Sequence, residues 1–251
     1  IQKPIKIDKL AIIVDNASRL RKLKDDNDDL KKRISAYSNI VTQNQTMIEL
    51  CKKVKKVAAS DFPVLISGES GTGKELFADF IHANSPRANK HLQKINCASF
   101  PESLLDNELF GHEKGAFTGA DSVFQGVFER SNDSSLFLDE LGDMPLSIQA
   151  KILRAIQNQE IRRLGGKKTI KINVRFIAAT NKDLHLLMLE KKFREDLYYR
   201  LNTATFYVPP LRKKKDDILL LMEHFLKNFK DSQSLKPKRL SDEVTKTLLN
   251  Y

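Results

Sequence analysis

Short apolar runs that end in polar residues recur along the chain. The three clearest are Val64–Ser67, Leu136–Glu140 and Val174–Asn181, and Leu92–Asn96 is a fourth, less regular run. Continuous apolar runs of this length are typical of strands that are buried on both faces. The pattern therefore predicts buried strands with polar side chains at their carboxyl ends.

Helical periodicity marks most of the chain between and beyond these strands. It predicts helices over Leu76–Ala83, Ser103–Phe110 and Pro145–Gln159, and another over Asp216–Lys230. The last of these follows Val208–Leu211, where two prolines interrupt regular structure and predict a domain boundary. Strands that alternate with helices place the chain in the α/β class.

A heptad pattern precedes the first strand. Its a and d positions, counted from Ile13, are Ile13, Asn16, Leu20, Leu23, Asn27, Leu30, Ile34 and Tyr37. Asparagine at an a position can fix the register of a two-stranded coiled coil, and Asn27 occupies such a position. The stretch 13–37 therefore indicates a dimeric coiled coil or, alternatively, a single amphipathic surface helix.

Composition narrows the class of protein. At 251 residues and 41% hydrophobic, the chain has enough apolar residues for a sizeable core, which excludes a wholly disordered protein. Cys51 and Cys97 have neither metal-ligand nor disulfide spacing, which favours a reduced, cytoplasmic setting. No uncharged apolar run approaches the length of a membrane span. The net charge of +11 lies entirely outside residues 61–210, where 19 basic residues balance 19 acidic ones, so it does not by itself indicate DNA binding.

The stretch between the first strand and the first of these helices carries the clearest chemistry. It reads Gly68, Glu69, Ser70, Gly71, Thr72, Gly73, Lys74, Glu75. Glycines let successive backbone N–H groups face phosphate oxygens, the helix N-terminus adds partial positive charge, and Lys74 adds a full one. The order of strand, loop, lysine and helix predicts a phosphate-binding loop. Glu75 departs from the general pattern, in which Ser or Thr offers a hydroxyl to magnesium.

The ends of two later strands supply candidate partners for this loop. In a phosphate-loop nucleotidase, a strand that ends in two carboxylates holds magnesium and activates water. Asp139 is therefore expected to hold magnesium, directly or through water, and Glu140 to orient or deprotonate the attacking water. Thr180 and Asn181, at the end of another central strand, are candidates for contacts with the γ-phosphate.

Two further segments suit contacts with other molecules. The run Gly115, Ala116, Phe117, Thr118, Gly119, Ala120 places Phe and Thr between glycines, which favours a mobile loop that touches a partner over an ordinary surface loop. Arg194 and Arg200 are flanked by aromatic residues. They are either surface ion-pair residues or charge donors to the phosphate of a neighbouring subunit.

In combination these motifs resemble one family. Gly68–Glu75, Glu108–Glu113 and Gly115–Ala120 together look like the AAA+ central domain of sigma-54-dependent transcriptional activators, the NtrC-type bacterial enhancer-binding proteins. The run Gly-Ala-Phe-Thr-Gly-Ala is the hallmark of that family, and Glu75 in place of Ser or Thr is typical of it. The resemblance covers about residues 38 to 251. It implies an α/β AAA+ P-loop NTPase with a central parallel sheet flanked by helices, followed by a partial α-helical lid.

The resemblance also implies cofactors and roles. ATP and magnesium would bind, and hydrolysis would remodel RNA polymerase holoenzyme that contains sigma-54. Lys74 would contact phosphates, Asp139 magnesium and Glu140 water, and Asn96 would be a switch that holds Glu140 back. Thr180 and Asn181 would form the first sensor, and Arg194 and Arg200 would be the arginines supplied in trans. Gly115–Ala120 would be the sigma-54 loop, and Ile40 and Val41 would contact adenine. The glycine usual near the adenine is absent.

The same resemblance divides the chain into four parts. Residues 1–12 look like the end of a receiver domain, 13–37 like its dimer linker, 38–208 like the ATPase subdomain and 209–251 like part of the lid. It implies an inactive dimer, an active ring, a cognate sensor kinase acting on an upstream receiver, and enhancer DNA bound by a further C-terminal domain.

Two alternatives to a sigma-54 activator remain at this point. One is an AAA+ remodeller with another protein target, against which the loop 115–120 argues. The other is a non-catalytic nucleotide-binding module, against which Lys74, Asp139, Glu140 and Arg200 argue.

Overall fold

The computed structural model describes residues 40–233 and Val244, so the predicted receiver segment 1–12 and linker 13–37 lie outside the described residues. The helices are α1 (Gln45–Ala58), α2 (Lys74–Ala83), α3 (Glu102–Phe110), α4 (Val127–Arg130), α5 (Leu146–Asn158), α6 (Leu184–Leu189), α7 (Glu195–Leu201) and α8 (Asp217–Gln233). The strands are β1 (Val64–Ser67), β2 (Gln93–Asn96), β3 (Gly111–His112), β4 (Phe124–Gln125), β5 (Ser135–Asp139), β6 (Glu160–Ile161), β7 (Ile170–Lys171), β8 (Arg175–Thr180) and β9 (Ala204–Tyr207).

Five of these strands form one parallel sheet in the order β2-β5-β8-β1-β9. The four apolar runs are confirmed as strands of this sheet, and parallel pairing aligns their carboxyl ends. Ser67 lies opposite Thr180, and Asn96 lies opposite Asp139. The polar residues therefore gather along a single edge, which is where ligands bind in open α/β sheets. The strand predicted to include Glu140 ends one residue earlier, at Asp139.

Both faces of the sheet are covered by helices. Along β1, Val64 and Ile66 belong to a hydrophobic cluster with α1 and α2, whereas Leu65 belongs to a second cluster with α3, α5 and α7. Because side chains alternate across a strand, this split follows directly from the continuous apolar sequence. The described residues thus form the predicted α/β architecture of three layers.

A buried arginine attaches α1 to the central strand. Arg175, at the start of β8, is only 1% exposed, and its Nη1 and Nη2 donate to the carbonyl oxygens of Ala58 and Val57 at 2.6 and 3.2 Å. The last carbonyls of a helix lack partners within the helix and carry partial negative charge, which suits a cation. Burial lowers the pKa of the Arg175 guanidinium from its usual value. The C-terminus of α1 is therefore fixed beside β8.

Two small antiparallel hairpins extend from this body. β3 pairs with β4, and the segment between them carries the loop 115–120. β6 pairs with β7, and residues 162–169 connect them. After β9, Pro209 and Pro210 precede a short 3₁₀ turn, and α8 follows at Asp217. Apart from Val244, the part of the predicted lid that follows α8 lies outside the described residues.

An aromatic stack provides a test of the core. Phe128 is fully buried between Phe110 of α3 and Phe176 of β8, with ring centroids 5.0 and 5.9 Å away. Phe128→Ala removes this packing and leaves a cavity, so we expect it to lower the free energy of unfolding by about 3–5 kcal/mol in urea titrations.

The matched control is Phe62→Ala, because the Phe62 ring is 59% exposed. It should change the unfolding free energy by less than about 0.5 kcal/mol. Similar losses for both variants would contradict the position of Phe128 between the sheet and α3.

Candidate functional site

The predicted phosphate loop connects β1 to α2 at the polar edge of the sheet. Gly73 is the N-cap of α2 at φ +92°, a left-handed conformation that a side chain would strain. At Gly68 a Cβ would lie 2.7 Å from the carbonyl oxygen of Val208, so no side chain fits there. Glu69, Ser70 and Gly71 are exposed at the top of the loop. The amides of the first turn of α2 thus lie beside an accessible loop, as anion binding requires.

Lys74 is buried directly beneath this loop. Only 6% of the residue is exposed, and its Nζ donates to the carbonyl oxygens of Gly68 and Glu69, each at 3.1 Å. No carboxylate of the described residues forms an ion pair with it. A buried cation held only by neutral carbonyl groups is an energetically incomplete arrangement. The loop therefore presents a positive charge that an anionic ligand would compensate.

The two candidate carboxylates follow β5. Asp139 Oδ1 accepts a hydrogen bond from the backbone N–H of Glu140 at 2.9 Å. Glu140 adopts φ +48° and ψ +48°, and its Oε2 is buried without a hydrogen-bond partner among the described residues. A left-handed non-glycine residue costs on the order of 1–2 kcal/mol, and an unpaired buried oxygen adds to that cost. Such a combination is typical of a residue held in place for chemistry.

The predicted switch and sensor residues end the strands on either side of β5. Asn96 is aligned with Asp139, but its Oδ1 accepts from the Ala98 amide at 2.9 Å, so within the described hydrogen bonds it does not reach Glu140. Thr180 is 1% exposed, and its carbonyl oxygen accepts from the Gly68 amide at 3.2 Å. Asn181, next in the chain, is exposed. The end of β8 is therefore bonded directly to the phosphate loop.

Glu75 points its carboxylate toward the neighbouring strand. Its Oε1 lies 2.9 Å from Lys94 Nζ of β2, and Asp79 Oδ1, one helical turn on, lies 2.6 Å from the same atom. Residues four apart share one helix face, so both carboxylates meet the same lysine. The Glu75 side chain therefore attaches α2 to β2 and leaves the magnesium role of a Ser or Thr hydroxyl unfilled.

Negative charge gathers around Asp139. Burial, followed by the charges of Asp139, Asp143 and Glu140, raises the pKa of the Cys97 thiol to about 12. Three or more His, Cys, Asp or Glu side chains do not come together as a metal site anywhere in the described part of the chain. Magnesium commonly binds through one or two carboxylates together with substrate phosphates and water. Asp139 fits that requirement, and the unpaired Oε2 of Glu140 lies next to it in sequence.

The loop 115–120 projects from the β3–β4 hairpin. Its neck is closed by hydrogen bonds from the Gly115 amide to the Ala120 carbonyl at 2.8 Å and from the Ala120 amide to the Phe117 carbonyl at 3.0 Å. Phe117 is 48% exposed and contacts the His112 ring edge-on with centroids 4.9 Å apart. Thr118 is exposed beside it. An apolar ring and a hydroxyl thus stand exposed near the tip of the loop.

The base of this loop is bonded to the β6–β7 turn. Arg163 donates from Nε and Nη2 to the two carboxylate oxygens of Glu129, both at 2.7 Å, and from Nη1 to Glu113 at 3.0 Å. These hydrogen bonds raise the pKa of the Arg163 guanidinium. At Gly165 a Cβ would lie 2.8 Å from the Ala116 Cβ, so the absence of a side chain lets the two loops touch.

The two candidate trans arginines lie on α7. Arg194, its N-cap, pairs with Asp196 at 2.7 Å, and the Arg200 side chain in the last turn makes no hydrogen bond or ion pair within the described residues. Neither is bonded to the phosphate loop of its own chain. Ile40 and Val41, the predicted adenine contacts, are partly buried, and Ile40 packs against the cluster beneath α1 and α2.

Comparison with known proteins identifies this arrangement. A family model described as the sigma-54 interaction domain matches residues 40–207. The chain belongs to this family. It is 51% identical over 230 residues to the regulatory protein AtoC of Escherichia coli, a match that covers 90% of this chain and 50% of AtoC. It is 41% identical over 252 residues to the transcriptional regulator NtrC of Proteus hauseri, covering 100% of this chain and 53% of NtrC.

Solved structures agree with the AAA+ fold of the sigma-54 interaction domain. NtrX of Brucella abortus in complex with ADP is 34% identical with a TM-score of 0.85, covering 100% of this chain and 53% of that one. The NtrX complex with ATP is 34% identical with a TM-score of 0.83, and 56% of that chain is covered. The chain thus spans about half the length of these relatives. Within the described residues, every helix is too short or too polar to cross a bilayer.

Two connections of this sigma-54 interaction domain were not predicted from sequence. Arg212, after the double proline, binds both carboxylate oxygens of Glu69 in the phosphate loop, at 2.7 and 2.5 Å. Arg163 binds the base of the loop 115–120. No sequence signal indicates the partner of either arginine.

The Arg163 network predicts a measurable link between the two loops. Arg163→Ala leaves the carboxylate of Glu129, whose side chain is 11% exposed, without its bidentate partner. We expect a loss of about 1–3 kcal/mol in unfolding free energy. We also expect faster hydrogen exchange at the Glu113 and Leu164 amides, which bond the two loops together.

The neighbouring Arg162→Ala is the control, since Arg162 is exposed and donates only to Thr169 Oγ1 at 3.2 Å. It should leave exchange at both amides unchanged. Unaltered exchange in Arg163→Ala would mean that the loops are held without this network.

Proposed function

We propose that the chain is the ATP-hydrolysing domain of a two-component response regulator that activates transcription by remodelling sigma-54 RNA polymerase holoenzyme. Membership of the sigma-54 interaction domain family supports this function, as do the relatives AtoC, a regulatory protein, and NtrC, a DNA-binding transcriptional regulator. ATP as the nucleotide is supported by the related NtrX structures, which are complexes with ADP and ATP. Residues 1–37 would belong to a receiver and its dimer linker.

The buried charge of Lys74 is the observation that carries the proposal. Its ammonium has two carbonyl partners and no ion pair within the described residues. A triphosphate laid along Gly68–Glu75 would supply the missing negative charge, with backbone amides and the α2 N-terminus as further partners. Binding energy would therefore concentrate at the phosphates.

Hydrolysis would take place between this loop and the end of β5. Asp139 would hold magnesium, whose positive charge would offset negative charge that develops in the transition state. Glu140 has a buried oxygen without a hydrogen-bond partner among the described residues, which supports a role in orienting water and accepting its proton. Asn96, Thr180 and Asn181 would respond to the γ-phosphate at the same edge.

Completion of the site would require a second subunit. Arg200 is exposed and unpaired within the described residues, and Arg194 pairs only with Asp196. Such arginines suit insertion into the phosphate site of a neighbour, where an arginine stabilises transferred charge. A head-to-tail contact of this kind repeats around a ring. The exposed Phe117 and Thr118 would then be the surface that engages sigma-54.

Mixing two inactive variants tests the shared site. Glu140→Gln and Arg200→Ala should each lower ATP turnover at least about 100-fold. Equimolar mixing should restore roughly a quarter of wild-type turnover, because that share of interfaces joins an intact Glu140 to an intact Arg200. A steady-state phosphate-release assay at increasing protein concentration measures this. A mixture as inactive as its components would contradict arginines supplied in trans.

A second variant separates hydrolysis from output. Thr118→Ala should keep ATP turnover within about twofold, because no hydrogen bond or ion pair of the described residues joins the loop to Lys74. The variant should nevertheless lose binding to sigma-54 in the presence of ADP and aluminium fluoride. Native gels with purified sigma-54 measure the binding.

Ser122→Ala is the matched control, an exposed hydroxyl just outside the loop, and it should bind sigma-54 like the wild type. Retained binding by Thr118→Ala would remove the loop tip from the proposal while leaving the ATPase assignment intact.

A further inference from the structure

We infer that Asp217 is a positioning residue for the nucleotide base, because its carboxylate fixes the segment Ile40–Asn44 against the first turn of α8. This inference rests on the proposed function, in which Ile40 and Val41 contact adenine. It adds a residue at the start of the lid, more than 170 positions along the chain from that segment.

The Asp217 carboxylate accepts hydrogen bonds from three consecutive residues. Oδ2 accepts from Thr42 Oγ1 at 2.7 Å, and Oδ1 accepts from the backbone amides of Gln43 and Asn44 at 2.7 and 3.1 Å. Asp217 is only 1% exposed, so these bonds are shielded from water. Charge-assisted hydrogen bonds at such distances are about twice as strong as neutral ones. Three donors on one carboxylate thus determine where the segment lies.

The segment has little else to hold it. Ile40–Asn44 precedes α1 and belongs to no helix or strand. Buried or half-buried backbone amides outside regular structure need other acceptors. Apart from Asp217, its anchors among the described residues are the Ile40 side chain, which packs on the core, Asn44, which accepts from the Met47 amide as the α1 N-cap, and contacts of the Gln43 and Asn44 side chains with Asp216. The position of Val41 between these anchors therefore depends on the carboxylate.

The stretch of chain that leads into α8, residues 212–217, also contacts the phosphate loop. Arg212 lies five residues before Asp217 and binds Glu69, as described above. That ion pair is exposed, and exposed pairs contribute little to stability. The buried Asp217 contacts are the stronger of the two attachments. Residues 212–217 therefore link the base segment, the phosphate loop and the start of α8.

Affinities for ligands with and without a base test this inference. Asp217→Ala leaves three donors without an acceptor and should weaken ADP binding on the order of tenfold, with a matching rise in the KM for ATP. Turnover at saturating ATP should stay within about twofold. Binding of magnesium tripolyphosphate, which has no base, should stay at the wild-type value. Isothermal titration of the 251-residue chain measures both ligands.

Two variants serve as controls. Asp217→Asn keeps an oxygen for both amides and offers an N–H to Thr42 Oγ1, so ADP affinity should recover to within about threefold of wild type. Asp216→Ala removes the adjacent, exposed carboxylate, whose side chain has only a 3.5 Å contact with Asn44 Nδ2. It should bind both ligands like the wild type.

The outcomes distinguish this inference from the proposed function. Unchanged ADP affinity in Asp217→Ala, or equal losses for ADP and tripolyphosphate, would overturn the positioning role. Failure of the wild-type chain to bind ADP would instead overturn the proposed function. If Asp217→Ala lacks a cooperative thermal transition, Thr42→Val removes one donor only and should show the same base-selective loss at about threefold.

Discussion

A buried ammonium group without an anionic partner in the described part of the chain is the constraint on which the rest of the site depends. Lys74 lies under the phosphate loop, and within the described residues its Nζ is bonded only to carbonyl oxygens of that loop. Removing a cation from water is costly unless an opposite charge compensates it, so a bound phosphate would offset the cost of burying Lys74. The two acids of the loop pair with other residues, Glu69 with Arg212 and Glu75 with Lys94. Both loop carboxylates are thus engaged away from Lys74.

The parallel sheet turns this local arrangement into a site. Parallel register places the ends of β1, β2, β5 and β8 on one edge, and the Gly68 amide bonds the last residue of β8. Glu140 follows β5 in a left-handed conformation, and one of its carboxylate oxygens has no hydrogen-bond partner among the described residues. The Oδ1 of Asn96, by contrast, accepts from the Ala98 amide. The site is thus incomplete in two ways, in charge at Lys74 and in hydrogen bonding at Glu140. A nucleotide with its water would meet both needs at once.

The sequence could predict those parts of the site whose chemistry is local. Continuous apolar runs identified the strands, and glycine spacing before Lys74 identified the phosphate loop, because both patterns act over neighbouring residues. It could not predict that Arg212 meets Glu69 or that Asp217 meets Thr42, which lie 143 and 175 positions apart. With 43 basic and 32 acidic residues in one chain, charge alone does not select a partner. The direction of the Glu75 side chain could not be predicted for the same reason, because its partner Lys94 lies on a strand elsewhere in the chain.

The covalent path from the nucleotide edge to the loop 115–120 is short. α3 begins six residues after Asn96, and β3 follows its last residue, Phe110, directly. Phe110 stacks on Phe128, which contacts Phe176 of β8, so the end of α3 is packed firmly against the sheet. Arg163 then holds the loop base through Glu129 and Glu113 while Phe117 stays exposed. Close-packed protein interiors resist local deformation. Because the base of the loop is packed in this way, movement of α3 would displace the loop as a unit.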